Sequence, residues 1–136
     1  MTIKEYLSQA YRIDQRINSK LEQVSSLREL AVKATSTLSD TYSSGNGNKQ
    51  KMEGVIVKII DLEHEIDEKI DRLVDLKQEI VSLVKKVKNP EYQTLLELRY
   101  LNFKTWEQIA TEMHYSIQHT FRIHDKALSL LRIFKR

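Results

Sequence analysis

From Met52 to Val87, apolar residues return at steps of three and four without interruption. The series is Met52, Val55, Ile59, Leu62, Ile66, Leu73, Leu76, Ile80, Leu83 and Val87, with Lys69 as its one polar member. A half-buried strand alternates every two residues, so this spacing dictates a helix carrying a heptad seam. An ideal helix of that length spans roughly 50 Å. The seam residues Ile59, Leu62, Ile66, Leu73, Leu76, Ile80 and Leu83 are expected to meet another helix, either in the same chain or in a second copy. Ile56, Ile70, Val74 and Val84 widen the apolar face beyond a two-stranded seam, so more than one neighbour is expected. Lys69 is expected to pack its stem and carry its ammonium to water rather than to set the register.

A second series precedes it: Leu7, Ala10, Ile13, Ile17, Leu21, Val24, Leu27, Ala31, Ala34 and Leu38. Its steps of three and four predict a long amphipathic helix over about 3–38. Between the two series lies Ser39 to Lys51, SDTYSSGNGNKQK, where glycine, serine and asparagine favour turns. A flexible loop is expected over about 39–51. These glycines follow no strand and lack the Gly-Lys-Ser/Thr ending of a phosphate-cradling loop.

Asn89-Pro90 ends this regime. Proline removes a backbone donor and restrains its predecessor, yet suits a first helical position behind an asparagine cap. The expected division is therefore 1–88, two long amphipathic helices, and 89–136, a small helical domain. Within the latter, a helix over about 90–101 is followed by a break at Asn102-Phe103-Lys104. Thr105-Trp106-Glu107-Gln108 has the form of a capping box. It opens a short helix to about Met113. His114-Tyr115 makes a turn, and Ser116 caps a last helix running through Leu131. The fold class is all-α: a long helical hairpin or coiled-coil arm followed by a small three-helix helix-turn-helix domain.

In such a motif, the first residues of the second helix meet base edges in the major groove of double-stranded DNA. Thr120, Ile123, Ala127, Leu128 and Leu131 form the inward stripe of this helix. Ile117, Gln118, Phe121 and Arg122 face away and are the candidate base contacts, with Asp125 beside them. An arginine can pair with guanine and a glutamine with adenine through two hydrogen bonds. Lys104, Thr105, Ser116, His119 and Lys126 are better placed for phosphates. Phe121 has a second reading, packing on a neighbouring helix. Trp106 is read as a packing anchor before a DNA contact.

The stretch from Thr105 to Arg132 resembles the helix-turn-helix of region 4 of primary sigma factors. It shares the threonine, the Glu-x-Ile-small pattern, the turn and the closing Lys126-Ala127-Leu128-x-x-Leu131-Arg132. Leu95 to Tyr100 resembles the helix before that motif. Ser116-x-x-His119-x-Phe121-Arg122-x-His124-x-x-Ala127-Leu128 is similar to a signature of small phage-encoded proteins, related to late-transcription activators of the ArpU and RinA type. The resemblance implies a phage or prophage transcription regulator, an activator of late genes; the bacterial cytoplasm is the expected location, and host RNA polymerase is a candidate further partner. The chain departs from sigma factors at Ile117 and Phe121, which are apolar where sigma factors carry charge. Contact with thymine methyl groups would use them. Two other roles fit the same pattern: a DNA-recognition subunit of a viral packaging machine, and an adaptor that binds polymerase or a sigma factor without touching DNA. A homo-oligomer, a dimer first, is the expected assembly.

Several classes are disfavoured. There is no cysteine, hence no disulfide, thiolate nucleophile or cysteine-bound zinc. No apolar run approaches the roughly 20 residues of a bilayer span, and the start lacks the layout of a signal peptide. The net charge of +3 permits a nucleic-acid partner without requiring one. His114, His119 and His124 are five apart, which does not align them on one helix face, so no metal or other cofactor is expected. Were they to touch phosphates, affinity would rise as pH falls through roughly 6.5. The stretch His64 to Leu76 resembles the first helix of all-helical chorismate mutases, but Lys58, Arg72 and Lys77 alternate with acids as on an ordinary solvated face. No enzymatic activity is expected.

Overall fold

The computed structural model describes residues 1–40 and 45–135, the side chains of 35–40 and 45–48 excepted. The fold is all-α. The order is α1 (Ile3–Asp40), α2 (Gly45–Lys85), α3 (Pro90–Leu96), a π-helical turn (Glu97–Leu101), α4 (Trp106–Met113) and α5 (Ile117–Phe134). No helix among the described residues is long and apolar enough to cross a membrane.

The flexible loop expected over 39–51 is helical at every described position. Helix runs to Asp40 and resumes at Gly45, so residues 45–51 are the first turns of α2. Two glycines lower helix propensity, by about 1 kcal/mol each, but the four-step seam beyond Lys51 outweighs them. Residues 41–44 and the side chain of Leu38 lie outside the described residues.

The chain forms two compact units. One comprises Met1–Asp14 with Arg72–Arg136, the other Gln15–Asp71. In the first unit, Ile3, Leu7 and Ala10 of α1 share a core with Leu76, Ile80, Leu83 and Val84 of α2 and Val87. The same core takes in Leu96 and Tyr100, then Ala127, Leu128 and Leu131 of α5. A smaller cluster, Leu95, Ile109 and Ile123, joins α3, α4 and α5 on the other side, with Trp106 and Tyr115 packed against it. The last helix is thus held from two sides, and one of those sides is built from the arm.

In the second unit, Ile17 and Val24 of α1 and Ile66 of α2 are buried, while Ile59 and Leu62 are half-buried. Lys20 donates to Glu65 at 2.5 Å and Arg28 to Glu63 at 2.6 Å. Leu21, read as inward from its spacing, is 48% exposed. Lys20 is its half-covered neighbour, lying toward α2 with its ammonium on Glu65. Lys69 is half-buried within the seam, and its charge joins that of Lys20 in holding Glu65 below the usual carboxylate range, the Lys20 hydrogen bond being the larger cause.

The seam residues Ile66, Leu76, Ile80 and Leu83 are buried within the single chain, and Leu73 is packed partly against the first unit's core. Contacts inside the chain therefore occupy the seam. Of the residues that widen it, Val84 is buried in the core, while Ile56, Ile70 and Val74 remain exposed, as does Ile60.

Candidate nucleic-acid interface

Three caps fix the local geometry of 89–136. Asn89 Oδ1 accepts from the backbone N–H of Glu91 at 2.9 Å and of Tyr92 at 3.4 Å, with Pro90 in the first helical position. Thr105 Oγ1 accepts from Gln108 N at 3.2 Å, and Gln108 Oε1 accepts from Thr105 N at 2.9 Å, closing the capping box. Ser116 Oγ accepts from His119 N at 3.1 Å. Each cap satisfies a backbone donor that the helix itself leaves unpaired.

The turn between α4 and α5 is equally determined. His114 adopts the left-handed conformation, φ 60° and ψ 42°. Tyr115 N donates to Ala110 O at 2.9 Å and His114 N to Thr111 O at 3.3 Å. These two bonds make a Schellman closure, and they reverse the chain with no residue to spare before Ser116.

Upstream, the helix expected over 90–101 changes register. Asn102 N donates to Glu97 O and Lys104 N to Leu98 O, both at 3.0 Å. The extra residue of the π-turn shifts everything after Leu96. It delivers Tyr100 to the core, and it leaves Phe103 with a φ of 57°. Phe103 is held by Tyr11, ring centres 5.6 Å apart, and by Lys77 Nζ, 4.7 Å from its ring centre. Arg99 donates to Lys104 O at 3.0 Å and lies 4.5 Å over the ring of Trp106.

On α5 the inward stripe is as expected: Thr120, Ile123, Ala127, Leu128 and Leu131 are all buried. Thr120 resolves its buried hydroxyl by donating to Ser116 O at 2.9 Å. Ile117, Gln118, Phe121 and Arg122 are all exposed. Gln118 and Arg122 are four residues apart, so they follow one another along a single strip about 6 Å apart in rise, with Ile117 and Phe121 on the neighbouring strip. Phe121 packs on a neighbouring helix. Its ring meets Trp106 edge-on at 5.2 Å, and it stays 42% exposed. Trp106 itself is half-buried among Phe121, Arg99 and His124.

The residues expected at phosphates divide. Lys126 is exposed and in no ion pair among the described residues. Thr105 and Ser116 use their hydroxyl oxygens as acceptors in capping, which leaves each O–H free to donate outward. His119 is half-buried, edge-on to Tyr115 at 4.7 Å. Lys104 is ion-paired with Glu112, so a phosphate would have to displace that carboxylate.

Two residues with unexpected roles emerge. His124 is 4% exposed, and its Nε2 lies 2.5 Å from Tyr100 Oη. Burial pushes the His124 pKa down to about 4, Asp125 only partly opposing it, and pushes the Tyr100 phenol up to about 12. Both are therefore neutral near pH 7. The signal was present in the sequence, because His124 sits four residues from both Thr120 and Leu128 on the inward side. It cannot reach a phosphate.

Charge is concentrated where these side chains are. Residues 117–136 contain five Lys or Arg and one acid, Asp125, while the rest of the chain has 17 basic and 18 acidic residues. The whole net positive charge thus belongs to α5 and its end. No curated protein and no solved structure matches the chain. Residues 31–132 match the family described as "Protein of unknown function (DUF1492)", and the chain belongs to that family.

Proposed function

We propose that this chain is a sequence-specific double-stranded DNA-binding regulator of transcription, of phage or prophage type and an activator of late genes, with α5 as its reading helix. The observation that carries the proposal is the outward strip of α5. Gln118 and Arg122 project from a helix whose start is capped by Ser116, whose entry turn is closed by hydrogen bonds, and whose inner face is buried from Thr120 to Leu131. Side chains that read base edges work best on such a rigid element. The concentration of cations on the same helix supplies attraction to phosphates.

In this reading Arg122 pairs with a guanine, Gln118 with an adenine, and Ile117 and the free part of Phe121 meet thymine methyl groups. Ser116, Thr105, Lys126 and His119 position the backbone. Host RNA polymerase is the further partner of an activator. A homodimer is the proposed assembly, and the exposed apolar residues of α2, among them Ile56, Ile60 and Ile70, rather than the occupied seam, would form it.

Fluorescence anisotropy tests the proposal, with the full chain titrated onto the duplex flanking its own gene and onto a scrambled duplex. Preference for the first is expected, with Arg122→Ala costing about 1–3 kcal/mol on that duplex. Affinity should fall as salt rises, through release of counterions. A folded protein that binds neither duplex but is retained on RNA polymerase would replace DNA reading with an adaptor role.

A further inference from the structure

We infer that the DNA-contacting surface extends off the helix-turn-helix onto the first turn of α1, where Lys4 joins Arg132 in a basic groove that holds the sugar-phosphate backbone beside the segment α5 reads. The inference rests on the DNA reading above and assigns a contact that the helix-turn-helix motif does not contain. Two hollows, of about 540 and 390 Å³, adjoin along one flank of α5 and share Thr2 and Arg132. The first runs from Phe121 past Asp125 to Lys4 and Arg132, and the second from Arg132 to Lys135. Together they form a continuous path that begins at a candidate base contact and ends at cations.

The distances suit a phosphate backbone. Phe121 and Arg132 are separated by about 16 Å along the helix axis, at 1.5 Å per residue. The major groove is about 12 Å wide. A helix whose first turns meet bases therefore carries Arg132 past the groove edge, to where phosphates lie. Lys4 reaches the same place from a different element.

The charges are available and firmly mounted. No ion pair among the described residues engages Lys4 or Arg132. Lys135 Nζ sits 4.2 Å from the ring centre of Tyr6, a contact that orients the ammonium without neutralising it. Asp125 is the one acid among the described residues that line the two hollows, and the Glu5 carboxylate lies beside them on the backbone of Thr2. The backbone around Lys4 is fixed because Ile3 and Leu7 are buried in the core shared with Leu128 and Leu131. Thr2 and Glu5 also cap each other, Glu5 N donating to Thr2 Oγ1 at 3.1 Å and Thr2 N to Glu5 Oε2 at 3.3 Å.

The test is a salt series of anisotropy titrations with full-length Lys4→Gln, Arg132→Gln and the double variant, on native and scrambled duplexes. Both residues are exposed, so the fold is expected to survive, and Lys4→Arg serves as the charge-retaining control. Each neutral variant should weaken both duplexes several-fold by the same factor and lower the slope of log affinity on log salt by about 1 per cation removed. Lys4→Arg should bind as the parent does, and the preference for the native duplex should persist. If the double variant matched the parent in affinity and slope while Arg122→Ala still lost preference, the interface would end on α5 and this inference would fail alone. Failure of the parent to bind either duplex would overturn both it and the DNA reading.

Discussion

The buried pair of Tyr100 and His124 shows how one inward position can govern behaviour in acid. Tyr100 Oη and His124 Nε2 share a hydrogen bond whose direction follows the imidazole tautomer, and the imidazole is neutral near pH 7. Its folded pKa of about 4 lies below the ordinary value of 6.5. The unfolded chain therefore takes up this proton first, so stability is full above about pH 6.5 and declines as pH falls toward 4. The loss attributable to His124 approaches about 3 kcal/mol near pH 4 and levels off below it. Urea unfolding of the parent and of His124→Gln at pH 7.5, 5.5 and 4.5 reads this out, and the variant should show a flatter profile. A parent as steep as the variant would mean that His124 is not the acid-labile group. Tyr100→Phe should cost about 1–3 kcal/mol at pH 7.5, because it leaves the buried Nε2 without its hydrogen-bond partner. His114 offers the opposite sign. A left-handed backbone strains any residue with a Cβ, so His114→Gly should be neutral or stabilising by up to about 1 kcal/mol in the same assay, and destabilisation would show that its side chain contributes more than the turn.

At the scale of elements, the fold was legible wherever periodicity or a cap decided it. The seam of α2, the Thr105–Gln108 box, the Ser116 cap and the inward stripe of α5 all follow from side-chain spacing and from hydrogen-bonding groups next to the backbone they serve. The π-turn at Glu97–Leu101 was not legible, because Leu95 to Leu101 carries no glycine or proline to mark one inserted residue. What accompanies it is tertiary, the burial of Tyr100 against His124. The packing of the first turns of α1 on α5 was hidden for a similar reason. Asn89-Pro90 marks a true break in the helix, yet Ile3, Leu7 and Ala10 lie some 120 residues away from the α5 residues they cover, and local pattern carries no record of that contact. In the candidate interface, the exposure of Ile117, Gln118, Phe121 and Arg122 was readable from the wheel, whereas the capture of Lys104 by Glu112 and the approach of Lys4 were not. This packing makes a fragment beginning at Asn89 lose the whole arm-facing half of the core. Such a fragment should be largely unfolded by circular dichroism at 25 °C. A cooperative thermal transition at the parent's midpoint would refute the supporting role of the arm.

For the whole molecule, the decisive asymmetry is electrostatic. The arm is nearly balanced in charge, and the net positive charge is carried by residues 117–136. Attraction to a polyanion would therefore orient the chain with α5 foremost. The assembly is a separate question with its own test. Light scattering should give twice the chain mass, and Ile60→Glu combined with Ile70→Glu should reduce it to one chain without loss of helix. A monomeric parent would remove the proposed dimer while leaving DNA reading intact. The central claim, that α5 reads sequence, is tested most directly by selecting binding sites from a pool of random duplexes with the full-length protein and with Arg122→Ala. DNA reading by α5 predicts enrichment of a short motif containing a guanine whose preference is relaxed in the variant, the other positions being kept. Recovery of unenriched DNA with both proteins, or the same motif with the same guanine preference in both, would contradict it.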